Sequence, residues 1–258
     1  MVNFVGAGCG AKDLITVRGM HLLEQADVII YAGSLVNPEL LEYAKNDCRV
    51  YNSAEMDLNQ VIEVMEEAEE KGLMTVRLHT GDPCVYGAIR EQMDRLDALN
   101  IDYEYCPGVS SFCGAAAALK AEYTLPDVSQ TVIITRMEGR TPVPDREKIR
   151  SLAAHGATMV IFLSTGMLKK LQEELMAGGY EADCPAAIIY KASWPDEKVF
   201  RCSVSRLYDT AAENNIRKTA LIVVGKFLGN DYALSKLYDE NFETEFRKKS
   251  DSKQKVEK

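Results

Sequence analysis

Short apolar runs alternate with helical patterns through the first half of the chain, and this alternation leaves few folds open. Strands read at 2–5, 27–31, 48–51, 74–79 and 101–105, and helices near 13–25, 38–46, 58–71, 86–99 and 110–119. In the segment 58–71, Leu58, Val61, Ile62 and Met65 make one apolar stripe, and Gly72 follows its end. Strands separated by helices predict a mostly parallel sheet covered on both faces.

The rhythm breaks at 122–129, which reads as a linker. Beyond it, strands read at 130–135, 159–164, 186–190, 199–204 and 221–225, with helices near 145–154 and 166–177. The turn-like Ser193-Trp194-Pro195-Asp196-Glu197 predicts a hairpin between two of these strands, hence a mixed sheet. The expected organisation is an α/β domain over 1–121, the linker, a second α/β domain over 130–240, and a charged tail over 241–258. The tail is expected to hold a helical end followed by disorder.

Composition narrows the function. A chain of 258 residues with 47% hydrophobic content can form one large domain or two small ones. It has no apolar run of about 18 residues, so no membrane span is expected. Its start runs straight into a strand, so no signal peptide is expected and a cytoplasmic location is. A net charge of −9 speaks against a nucleic-acid groove over the whole surface. The seven cysteines are odd in number and contain no C-x-x-C, and the three histidines lack ligand spacing. Neither a disulfide framework nor a protein-held metal is expected.

Three loops carry the candidate chemistry. Gly6-Ala7-Gly8-Cys9-Gly10-Ala11 follows the first strand and matches the dinucleotide-binding glycine pattern. That pattern also asks for an acid about 20 residues on, after the second strand. Ala32-Gly33-Ser34-Leu35 stand there, and no Asp or Glu lies between Asp27 and Glu39. Dinucleotide chemistry is therefore not expected, and the ligand is sought elsewhere. The second loop, His79-Thr80-Gly81-Asp82-Pro83, and the third, Pro107-Gly108-Val109-Ser110-Ser111, both follow parallel-type strands, where ligands of open α/β sheets sit. If adjacent, they form one wall of a cleft. Phe162-Leu163-Ser164, Tyr190-Lys191-Ala192 and Thr219-Ala220-Leu221 are candidates for the other. Gly, Asp and Pro are also ordinary turn formers, so the loops alone leave both readings open.

Cations are the other candidates. Arg77 and His79 share one face of their strand. Arg136 and Arg140 flank Met137-Glu138-Gly139. Together these arginines can grip carboxylates, although a single arginine is more often a structural ion pair. Cys9 reads as a buried, inert thiol rather than a nucleophile.

Taken together, Val5-Gly6-Ala7-Gly8, Ala26-Asp27-Val28-Ile29-Ile30-Tyr31, Thr80-Gly81-Asp82-Pro83 and Pro107-Gly108-Val109-Ser110-Ser111 resemble the tetrapyrrole methyltransferases. So do the stretches 130–136, 158–164 and 192–197, and the resemblance covers about residues 2–228. It implies two α/β domains with S-adenosyl-L-methionine held between them, a cytoplasmic homodimer, and a small-molecule tetrapyrrole substrate. No nucleic acid or membrane partner is implied. Carried over by motif, the cofactor contacts are Thr80, Gly81, Asp82, Val85, Ser110, Ser111, Leu163, Ala192 and Ala220. The substrate's carboxylates then fall to Arg136, Arg140, Arg77 and Lys12. The segments 31–36, 130–140 and 192–197 narrow the implied reaction to methylation of C11 of precorrin-4, with or without cobalt, in cobalamin synthesis.

Two departures matter. The family usually has Gly-Pro-Gly-Asp-Pro at the first turn, where this chain has Gly8-Cys9-Gly10-Ala11-Lys12. An acid is lost there and a lysine gained, so no catalytic residue is assigned. Uroporphyrinogen methyltransferases usually carry an Asp where Ala32 stands, which lowers that alternative. Diphthine synthase is another alternative within the fold, and a non-catalytic nucleotide-binding module is the rival outside enzymes.

Overall fold

The computed structural model describes residues 1–248, and ten strands within them form two five-stranded sheets. In the first, β1 (Val2–Gly6), β2 (Val28–Tyr31), β3 (Arg49–Asn52), β4 (Thr75–His79) and β5 (Tyr103–Cys106) lie in the order β3-β2-β4-β1-β5. Every pairing is parallel. Helices α1 (Val17–Gln25), α2 (Leu58–Glu70), α3 (Arg90–Leu99) and α4 (Ser111–Leu119) separate the strands. α2 starts with a full capping box, in which Asp57 and Gln60 satisfy each other's backbone N–H. Leu23 of α1 joins Val5, Ile29 and Leu78 in one apolar cluster; α2 and α3 bring Ile62, Met65 and Leu96 to Phe4 and Ile30 in another.

The second sheet has the order β6-β7-β10-β8-β9, from β6 (Val132–Arg136), β7 (Thr158–Phe162), β8 (Pro185–Tyr190), β9 (Lys198–Ser203) and β10 (Ala220–Val224). Only β6 and β7 are parallel; β10 is antiparallel to β7 and β8, and β8 to β9. The hairpin expected around Trp194 joins β8 to β9. Helices α5 (Ile149–Ala153), α6 (Leu168–Ala177) and α7 (Leu207–Glu213) bury Ile149, Leu171, Leu175 and Leu207 against one face. The other face is covered by α4, whose Ala115 and Leu119 pack with Val160, Ile189, Leu221 and Val223. A helix that follows a strand of the first sheet thus serves as a layer of the second. Its run of small residues lets the backbones approach closely.

Some expectations are corrected. The segment 38–46 holds a 3-10 helix, Pro38–Tyr43, and no α-helix. The helix expected from 86 begins at Arg90, because Tyr86 and Ala88 have φ of 58° and 50°. α7 was not foreseen. No helix forms in 241–248: Arg247 draws the carbonyls of Leu237, Asp239 and Phe242 onto its own guanidinium. The rest of the expected tail lies outside the described residues. Among those residues no helix is long and apolar enough to cross a membrane.

Arg77 and His79 do share a face, but it is the face under α2 and α3. Arg77 is 6% exposed, and its guanidinium donates to Gln92 and to the Ile30 carbonyl. Burial lowers its pKa to about 10. This takes Arg77 out of the candidate substrate contacts. His79 stacks on Phe4 with ring centroids 6.3 Å apart. Burial first, then the Arg77 charge, push its pKa down to about 3. The unfolded chain binds a proton at His79 near pH 6.5, so this site's contribution to stability is present above that pH. It is lost progressively as pH falls toward 3. The expected loss is about 2 kcal/mol by pH 5. Urea titrations of the parent and His79→Gln at pH 7 and pH 5 check it; an equal loss in both would contradict it.

Candidate active-site cleft

The strand order β4-β1-β5 makes the second and third loops neighbours of the first. Ala7 N–H donates to the His79 carbonyl at 2.7 Å, and Gly8 and Gly81 exchange backbone hydrogen bonds. Asp82 ties the corner together. Its Oδ1 accepts from Cys84 N–H at 2.8 Å and from the Tyr105 hydroxyl, and its Oδ2 accepts from Gly108 N–H at 2.9 Å. Burial pushes the carboxyl's pKa up, but these hydrogen bonds outweigh it and hold the group below the usual value. Asp82 is thus an anion that fastens the second loop to the third.

Opposite these loops stand the ends of β7 and β8 and the start of β10, which the antiparallel pairing brings to the same rim. The cleft between the two rims is lined by Thr80, Gly81, Asp82, Val85, Ser110, Ser111, Leu163, Ala192 and Ala220. All nine expected cofactor contacts therefore face one space. Tyr86 and Phe162 close it from opposite sides, with ring centroids 5.6 Å apart. Ser164 is fully buried behind the rim, where its hydroxyl accepts from Met137 N–H and donates to the Phe162 carbonyl.

Backbone strain gathers here. Leu163, Lys191 and Thr219 have φ of 52°, 47° and 57° and all line the cleft, as does Tyr86. Left-handed backbone is costly for such residues and concentrates at functional sites. Sequence reasoning placed Lys191 and Thr219 on the second wall but missed Tyr86 and Trp194 as site residues. None is a glycine, so no residue type flagged the strained turns.

The remaining candidate cations lie around the cleft. Lys12 forms an ion pair with Glu42 at 2.6 Å and lies over the Tyr43 ring, in a hollow shared with Ala11, Asp13, Asn37 and Ser193. Arg136 lines another hollow that shares Tyr86 with the cleft, but it donates to the carbonyls of Met137, Thr141 and Pro142 in its own loop. Arg140 is exposed and has no intramolecular partner among the described residues.

Two sheets holding a strained cleft between their loop ends define a small-molecule binding protein of α/β class. A family model described as Tetrapyrrole (Corrin/Porphyrin) Methylases matches residues 1–208, and the chain belongs to this family. It is 55% identical over 248 residues to a cobalt-precorrin-4 C(11)-methyltransferase of Methanocaldococcus jannaschii, covering 96% of each chain. It is 47% identical to a precorrin-4 C(11)-methyltransferase of Pseudomonas aeruginosa, covering 92% of this chain and 94% of that one. Among solved structures, the X-ray structure of a cobalamin biosynthetic enzyme, a cobalt precorrin-4 methyltransferase, superposes with a TM-score of 0.87 at 47% identity. The match covers 89% of this chain and 96% of that one.

Proposed function

We propose that the chain transfers a methyl group from S-adenosyl-L-methionine to C11 of precorrin-4, with or without cobalt, giving the corresponding precorrin-5 in cobalamin synthesis. The observation that carries this reading is the set of unpaired polar groups in the cleft. The hydroxyls of Thr80, Ser110 and Ser111 and the backbone groups of Leu163 and Ala192 have no intramolecular partner among the described residues. They stand out from an apolar lining of Val85, Phe162, Ala220 and Leu221. Such a surface fits a ligand with an amino-acid end, a ribose and a purine. The charges fit as well. Among the described residues, the one cation lining the cleft is Lys191, and it is held by Asp196 at 2.7 Å. No bare positive charge among the described residues therefore opposes a sulfonium.

When bound, S-adenosylmethionine supplies a methyl on a sulfonium that leaves as a neutral thioether. Charge disperses during such a transfer, so the residues' work is alignment more than charge stabilisation. Holding the reacting atoms in line is worth about 7–11 kcal/mol. Asp82 fixes the loop of Thr80 and Gly81, Ser164 fixes the opposite rim, and no side chain is assigned as general base. Arg136, Arg140 and Lys12 are proposed to meet the substrate's carboxylates, with Arg140 the freest of the three.

Mass spectrometry of products from precorrin-4, cobalt-precorrin-4 and uroporphyrinogen III tests the reading. One methyl added at C11 of a precorrin-4 is expected, with release of S-adenosylhomocysteine. Methylation of uroporphyrinogen alone would move the chain to another activity of the family. Tight S-adenosylhomocysteine binding without any methylated product would leave a binding module. The cytoplasmic homodimer implied by the resemblance belongs to the same proposal, and a single-chain mass by light scattering at micromolar concentration would remove the dimer.

A further inference from the structure

Two hollows meet at the turn that carries Trp194, which itself lines the cleft. Cys9, Ala192 and Trp194 line the cleft, while Ala11, Ser193 and Pro195 line the hollow of Lys12, Asp13, Asn37 and Tyr43. Gly10 and the β8–β9 turn thus form the border between them. The border is firmly built. Ala11 N–H donates to Ser193 Oγ at 3.0 Å, Ser193 Oγ donates to Cys9 Sγ at 3.3 Å, and Ser193 N–H donates to Glu197. Asn37, itself buried, donates to the Gly10 carbonyl at 2.9 Å. The indole of Trp194 presses so closely on Gly10 that an added Cβ there would lie 2.1 Å from Trp194 Cδ1. The Lys191 ammonium lies 5.2 Å from the centre of the same ring.

Trp194 is the only tryptophan of the chain. Its indole N–H has no intramolecular acceptor among the described residues. A broad apolar ring with an N–H that has no intramolecular acceptor suits a flat macrocycle.

We propose that Trp194 is a specificity-determining residue: its indole packs on the tetrapyrrole at the border and sets which carbon faces the methyl donor. This rests on the reading that the cleft holds the donor and the hollow the tetrapyrrole. Gly10 is then small so that the edge of the indole can lie against it.

The test compares the parent with Trp194→Ala and Trp194→Phe. S-adenosylhomocysteine affinity is read by calorimetry, precorrin-4 affinity by absorbance titration, and the methylated position by mass spectrometry and NMR. Trp194→Ala is expected to weaken precorrin-4 binding about tenfold, the scale of a lost aromatic contact. It should leave S-adenosylhomocysteine binding within about twofold and yield product methylated at carbons other than C11. Trp194→Phe, which keeps a ring without the N–H, should lie between. Parent-like precorrin-4 affinity with C11 as the one product, in folded Trp194→Ala, overturns the proposal. If Trp194→Ala does not fold, the same result in Trp194→Phe overturns it. An equal loss of affinity for both ligands overturns it too, because the residue would then serve the donor cleft. A parent that binds precorrin-4 without methylating C11 defeats the proposed reaction instead, and the binding titrations still decide on Trp194.

Discussion

Gly108→Ala is expected to destabilise the protein by about 3 kcal/mol, the upper end of the usual cost of overpacking. The reason is a meeting of three loops at their backbones. A Cβ on Gly108 would lie 2.3 Å from the Gly81 carbonyl oxygen and 2.7 Å from Gly6 Cα. Gly6 is equally confined, with Gly108 Cα at 2.5 Å and the Gly81 oxygen at 2.7 Å from its own added Cβ. These neighbours are backbone atoms, so no rotamer change relieves the clash. The loops must spread, and the cleft they form spreads with them. Gly72→Ala is the control. Gly72 has φ of 66° and open space around it, so alanine there brings only the left-handed backbone cost of about 1–2 kcal/mol. Urea unfolding of both variants separates the two effects. Parent-like stability in Gly108→Ala would mean that the loops are not held at this distance.

The first sheet was largely legible in the sequence, because its strands and helices carry the clean periodicities of buried strands and amphipathic helices. The second and third loops were legible as strand-end loops. Their adjacency was not, since it depends on β1 lying between β4 and β5, which no local pattern encodes. The alternation of Arg77 and His79 gave their common face correctly but not which side of the sheet it was. Helix α7 was passed over: it spans 207–213 and carries no side-chain cap. The strained rim was hidden for a different reason. Leu163, Lys191 and Thr219 adopt left-handed backbone without the glycine or asparagine that would announce it. In the sequence Trp194 reads as part of a turn and of a family motif, not as a site residue. Its role at the border exists because Gly10, far away in sequence, leaves room for it.

Asp82→Ala is expected to raise the dissociation constant for S-adenosylhomocysteine about a hundredfold and to lower stability by about 3 kcal/mol. The carboxylate does both jobs through the same bonds. It accepts from Cys84 N–H, the Tyr105 hydroxyl and Gly108 N–H, so it joins the end of β4 to the end of β5. Removing it leaves three part-buried donors without their acceptor and frees the loop that carries Thr80 and Gly81. Asp82→Asn should rescue little. One of its two positions becomes an NH2, which must then face a donor. Tyr105→Phe removes one bond of three and should lose about 1 kcal/mol, with the loop still fastened by Gly108. The pH dependence identifies the group. The depressed pKa means that Asp82's contribution is complete above the unfolded carboxyl value near 3.8, and is lost as pH falls through its lower value in the fold. That window lies mostly below the one assigned to His79, so the two are separable in one acid titration. A folded Asp82→Ala protein with the parent's affinity for S-adenosylhomocysteine would show that the loop keeps its shape without the carboxylate, and the cleft would need another organiser.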